Sequence, residues 1–160
     1  MPETMTCTIE TKPQVWDLGG TMQVTVGRPG GESEDLTVHE GEELKITATV
    51  TLTGRIRHYL CDTWLCVCLA YESCGSGPEG ELCEWIELEG EYDPCRTDTF
   101  PFTFTLPGGK LTSGECGREY QLCLTLGSKD CCKKVGFIFG SCRGITLTVL
   151  PAVDTTPTAG

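Results

Sequence analysis

The sequence predicts an all-β domain: an antiparallel two-sheet β-sandwich of about 7–8 short strands, reinforced by disulfides. Three observations predict it. Apolar residues recur at every second position in one run after another, and no window carries a helical period. Glycine- and proline-rich punctuation separates these runs, at 27–31, 75–80, 107–109 and 127–130. The 160 residues include 12 cysteines, an even number that suits pairing.

The clearest strand covers 42–53, where Leu44, Ile46, Ala48, Val50 and Leu52 share one face. Lys45, Thr47, Thr49, Thr51 and Thr53 share the other, the mark of a half-buried antiparallel strand. Before it, Met22, Val24 and Val26 alternate with Thr21, Gln23 and Thr25. After it come 63–71 and 82–90, then Phe100, Phe102, Phe104 and Leu106 interleaved with threonine and Pro101. Tyr120, Leu122, Leu124 and Leu126 make a further run, and Ile145, Leu147 and Val149 close the series.

This order, with a long strand opened by Glu40-Gly41-Glu42-Glu43 and a last strand closed by Pro151, resembles an immunoglobulin-like sandwich over residues 20–151. The resemblance implies a fold class and no more, and a jelly roll is the alternative. The domain so drawn is preceded by an N-terminal arm and linker at 1–19 and followed by a flexible tail at 152–160. Residues 128–143, with Cys131, Cys132 and Cys142 around a small apolar run, read as a cysteine-rich hairpin inserted before the last strand.

Net charge is −11, which argues against a nucleic-acid partner. The charge is uneven: 72–98 carry nine acidic side chains and one basic, whereas 99–150 carry six basic and three acidic. Such patches either face solvent or meet across neighbouring copies. No stretch approaches 18 consecutive apolar residues, so no membrane span is expected. The start MPETMTCTI has neither a basic region nor an apolar core, so no signal peptide is read in it. Disulfides nevertheless point to an oxidising location, extracellular or on a virion or spore surface. The chain contains no Asn and only Gln14, Gln23 and Gln121 as amides. Depletion of heat-labile amides points to a hot habitat.

A core of this length folds without six staples, so the cysteines read as reinforcement. No C-x2-C knuckle occurs, and the cluster Cys61, Cys66, Cys68, Cys74 misses iron–sulfur spacing, so no metal or other cofactor is expected. With Leu65, Val67 and Leu69 inward, Cys66 and Cys68 face outward, as does Cys123 on its own strand. The immunoglobulin-like resemblance implies that these two strands are neighbours, which would let Cys123 bridge to Cys66 or Cys68. Cys131 and Cys132, adjacent in extended chain, point opposite ways and take different partners. In the arm, Met5, Cys7 and Ile9 alternate with threonine before Lys12-Pro13. Such a strand suits addition to a neighbour's sheet, with Cys7 as covalent lock, or else serves as an intramolecular first strand stapled by Cys7. Head-to-tail addition of this kind does not close and gives a fibre. Cys7, Cys66, Cys68, Cys123, Cys131 and Cys132 are therefore the candidate intermolecular cross-links.

No catalytic constellation emerges. The two histidines, His39 and His58, have no nucleophile in a recognisable motif, and Gly108-Gly109-Lys110 lacks the upstream glycine of a phosphate loop. Glu87, Glu89, Glu91 and Asp93 alternate and are weak calcium candidates. The expected function is thus non-enzymatic: a self-assembling, disulfide-reinforced subunit of an extracellular fibre or appendage, with itself as partner. A capsid or tail decoration protein of a thermophilic virus is one alternative, its partner a capsid or surface protein. A monomeric secreted binding module using Trp64, Tyr71, Trp85 and Tyr92 as anchors is the other.

Overall fold

The structure is a computed structural model, and it describes residues 3–11, 17–27, 37–60, 63–75, 77–88, 98–107, 110–129, 136 and 138–152. Nine strands run through the described residues: β1 (Glu3–Thr11), β2 (Gly19–Gly27), β3 (Thr37–His39), β4 (Leu44–Thr53), β5 (Thr63–Ser73), β6 (Gly80–Leu88), β7 (Thr99–Leu106), β8 (Arg118–Lys129) and β9 (Ile138–Leu150). A single 3₁₀ turn, Arg55–Tyr59, leads from β4 towards β5.

Alternation decides which side of each strand is buried. Every second residue of β4 from Leu44 to Leu52 is buried, and so is every second residue of β7 from Phe100 to Leu106. The two strands pair so that Ile46 lies opposite Phe104, Ala48 opposite Phe102 and Val50 opposite Phe100. The small Ala48 leaves room beside a phenylalanine, the large-against-small fit that close packing demands. Each such aromatic withdrawn from water contributes about 1.5–3 kcal/mol. Met22, Val24 and Val26 of β2, Leu65, Val67 and Leu69 of β5, and Leu122, Leu124 and Leu126 of β8 complete the core.

The strands are joined in the order β6-β5-β8-β9-β1-β2-β4-β7, every neighbour antiparallel. β3 lies off this path, parallel to β9. The molecule is all-β and disulfide-bonded, as the sequence predicts, but its strands form one nearly closed, barrel-like sheet and not two clearly separate ones. The reason is β1. It pairs with β2 over Glu3–Ile9 and with β9 over Ile9–Thr11, and so fuses what would be two halves. The segment read as a separate arm is a strand of its own chain's sheet. The last strand also begins earlier than the sequence suggests: 138–143, assigned to a hairpin insert, belong to β9, while 130–135 and the tail from 153 lie outside the described residues.

Polar ties fix the end of the sheet where β8 begins. The fully buried Tyr120 donates its hydroxyl to the Thr112 carbonyl at 2.8 Å and accepts the Thr112 N–H at 3.0 Å. Glu40, in the turn after β3, accepts the Ser113 hydroxyl at 2.7 Å and the Ser113 N–H at 3.0 Å, and these bonds hold its carboxyl below the usual carboxylate range. Tyr120→Phe would leave the Thr112 backbone without that partner. The expected outcome is a loss of about 1–3 kcal/mol, read as a lower urea midpoint at unchanged slope.

Candidate functional site

Two features concentrate the chemistry. The first is the joint between β1 and β9. Antiparallel pairing sets Ile9 opposite Gly140 and Thr11 opposite Ile138. Continued by two residues, the same register sets Cys7 across from Cys142, and the two are bonded, with Cα atoms 5.7 Å apart. A β-bulge makes this meeting possible. Leu122 pairs with Ile145 and Leu124 with Cys142, so Arg143 and Gly144 together oppose Cys123. One extra residue shifts the alternation, so that Ile145, Leu147 and Val149 point inward on one side of the bulge and Cys142 points inward on the other. Gly144 takes φ of 89°, a left-handed conformation that glycine adopts without the cost of a side chain. The bond spans 135 residues, for which loop closure in the unfolded chain gives roughly 5 kcal/mol, against roughly 3 for a 15-residue loop.

The second feature is the outward face of β6, β5 and β8. Period two places Trp64, Cys66, Cys68 and Ala70 of β5 in one row. On the β6 side they are opposed in turn by Glu87, Trp85, Cys83 and Glu81, and on the β8 side by Lys129, Gly127, Thr125 and Cys123. Cys68 is bonded to the directly opposed Cys83, with Cα atoms 4.1 Å apart. The Cys66 thiol lies 3.6 Å from the Cys68 sulfur. All three sulfurs fall within 4.8 Å of one another. Cys66 is buried, whereas Cys83 is exposed on a strand at the end of the sheet.

Around Cys66 the surface is open on one side. Its β8 neighbour is Gly127, where an added side chain would meet nothing within 4 Å. A groove of about 250 Å³ results, lined by Cys66, Cys68, Trp85, Gly127, Lys129 and Phe139 among others. The Lys129 ammonium sits over the Trp85 ring, 4.6 Å from its centre, a cation–π contact that holds a positive charge at the rim. Burial raises the pKa of the Cys66 thiol; Lys129 partly offsets this and Glu81 adds to it. A neighbouring depression over β8, β9 and β1 carries Thr8, Glu10 and Ser141, and shares Thr125, Leu126 and Phe139 with the groove.

The sequence-derived candidates fall as follows. Cys7 and Cys68 hold partners within the chain, so in this structure neither is a free cross-linking thiol. Cys123 does not bridge to Cys66 or Cys68: it opposes Ala70, one step along the face, and Cys68 is engaged on its other side. Cys131 and Cys132 lie outside the described residues. Met5 and Ile9 point into the core beside Cys7. Glu87 is exposed on β6, and Glu89, Glu91 and Asp93 lie outside the described residues, as does Tyr92. Trp64 and Trp85 are on the outer face of the sheet, whereas Tyr71 is buried. Cys74, which the sequence offers only within a cluster of the wrong metal spacing, and Cys116 are exposed thiols, and Cys83 gains its importance only from the strand opposite. Among the described residues no helix is long and apolar enough to cross a membrane.

Two outcomes follow from these placements. Gly144→Ala is expected to cost about 1–2 kcal/mol in urea unfolding, since it strains the bulge that turns Cys142 inward. In iodoacetamide labelling read by peptide mass, Cys74 and Cys116 are expected to react first among the described free cysteines. Cys66 should lag at neutral pH and gain rate only in a more alkaline range than an ordinary thiol, because a raised pKa keeps it protonated and only the thiolate reacts.

No family model matches the chain, and no curated protein matches its sequence.

Proposed function

We propose that the chain is a structural subunit that assembles with copies of itself by exchanging strand β1, each joint locked by a disulfide between Cys7 of one copy and Cys142 of the next. The observation that carries this reading is the place of β1. Among the described residues it is the strand that joins the β6-β5-β8-β9 half to the β2-β4-β7 half, and its cysteine is bonded to the far side of that joint. A strand supplied by a neighbour in the same register makes the same main-chain bonds, buries the same Met5, Cys7 and Ile9, and links the chains in a series that need not close.

The two ends of the sheet favour this route over simple edge addition. β7 carries Pro101, which lacks an N–H to offer another strand. β6 carries the charged Glu84 on the same face as the apolar Leu82 and Ile86, a placement that discourages added strands. An immunoglobulin-like sandwich to which β1 is an addition is the finer fold reading. It is supported by the parallel β3–β9 pair and by the Tyr120 hydroxyl bonded back to Thr112, the corner that such sandwiches use before this strand. The disulfides fit an oxidising, extracellular setting, and the role is one of mechanical and chemical endurance rather than catalysis. A fibre or appendage is the leading assembly, and a decoration protein on a virion would use the same joint.

Isotope mixing tests the exchange. Unlabelled and ¹⁵N-labelled chains are mixed, reduced and allowed to reoxidise, then digested without reduction. The expected result is a Cys7–Cys142 peptide pair carrying one labelled and one unlabelled half in about half of the molecules, the random-pairing value for equal exchange between copies. A non-reducing gel should show a ladder that collapses on reduction and is absent in Cys7→Ser. Pairs of uniform label with a single monomeric band would overturn the proposal.

A further inference from the structure

We infer that Cys66, Cys68 and Cys83, once the Cys68–Cys83 bond is reduced, form a three-thiolate site for a soft d¹⁰ cation, with zinc(II) the ion that fits. This inference stands apart from the strand-exchange reading and uses none of its residues. The geometry is nearly in place. Two thiolates at about 2.3 Å from one tetrahedral zinc ion lie roughly 3.8 Å apart. Cys66 and Cys68 already stand at 3.6 Å, and all three sulfurs lie within 4.8 Å. Only Cys83 has to move, from bonding distance of Cys68 to roughly the same spacing, and its side chain is exposed on a strand that, among the described residues, pairs on one side only.

The chemistry balances in two steps. An external dithiol supplies two electrons and two protons to the Cys68–Cys83 bond and becomes a disulfide; in the laboratory a phosphine supplies the two electrons and becomes a phosphine oxide, with water supplying the two protons and the oxygen. The three thiols then release three protons to solvent as they bind a divalent ion, which leaves a complex of charge −1. Lys129, held over Trp85 beside Cys66, supplies a compensating positive charge. Gly127 leaves the groove beside the sulfurs open, so a fourth, non-protein ligand has access. Three protein ligands with an accessible fourth position are the arrangement of exchangeable rather than closed structural zinc. The oxidised face, with one disulfide and one buried thiol, lacks the donors. Redox state therefore gates the site.

The test uses the full chain and cadmium(II) alone as a spectroscopic substitute for zinc. Chains are compared oxidised, reduced with a phosphine, and reduced as Cys66→Ser, Cys83→Ser and Cys74→Ser. Reduced wild type is expected to gain a sulfur-to-cadmium ultraviolet band that saturates with one more ion per chain than either Cys66→Ser or Cys83→Ser. Cys74→Ser should match wild type. Alkylation mapping should show Cys66, Cys68 and Cys83 shielded together on adding cadmium, and binding should weaken as pH falls. Because Cys83 is exposed, Cys83→Ser tests the site even if Cys66→Ser disturbs packing. Equal uptake by wild type and both variants, equal uptake before and after reduction, or protection at other cysteines would each overturn the assignment.

Discussion

The double pairing of β1 is the constraint on which the rest of the structure depends. Without it the sheet has two more open edges, on β2 and β9, each with unpaired main-chain groups. With it the hydrogen-bond network runs unbroken from β6 to β7. The strand buries little of its own: Ile9 is buried, Met5 and Cys7 are half-buried, and its threonines face solvent. Main-chain pairing and one buried disulfide hold it, more than apolar surface. A strand held in that way is indifferent to which copy of the chain supplies it, and the Gly144 bulge fixes where the covalent lock falls.

The second cysteine-rich face follows from the period of the strand. Alternate residues of β5 point outward, so a C-x-C pair places two thiols side by side, and the register of β6 brings a third beneath them. Proximity alone would make all three equivalent. Burial separates them: Cys66 sits under the groove with its proton held, while Cys83 is exposed at the end of the sheet. A face with one buried thiol and one reachable disulfide responds to reductant at the reachable bond first. In the staple between β1 and β9, Cys142 is fully buried and Cys7 half-buried. The two disulfides thus differ in setting, one at the joint of β1 and β9 and one on the outer face of β5 and β6.

The charge pattern belongs to this picture. The acidic stretch 72–98 places Glu81, Glu84 and Glu87 along β6, at one end of the sheet, where they weaken any approach by another strand. Basic residues of the following stretch, Lys129 and Arg143 among them, project from β8 and β9. At the opposite end, Pro101 closes β7. Both ends are thereby guarded, in keeping with the proposed exchange of the interior strand β1.

The sequence by itself determined the elements. Two-residue alternation marked β2, β4, β5, β6, β7, β8 and β9, and a strand in the arm, because burial of one face of a pleated chain writes itself directly into residue order. It also determined which cysteines of β5 face outward. What only the tertiary structure decided was which strands lie side by side. Alternation marked the arm's strand but left open whether it joins its own sheet or a neighbour's, because Lys12-Pro13 interrupts its alternation and no local signal names a partner. β3, three residues long, is too short for any periodicity. Cys142 was assigned to an insert because the bulge at Arg143-Gly144 breaks the phase between it and Ile145, and a phase break reads as the end of a strand. Cys83 carried no signal at all, since its partners lie 15 and 17 residues away in sequence and meet it only through the β5–β6 register. Alternation is local and is encoded residue by residue; pairing depends on loop closure and on the fit of whole faces, which the folded chain alone settles.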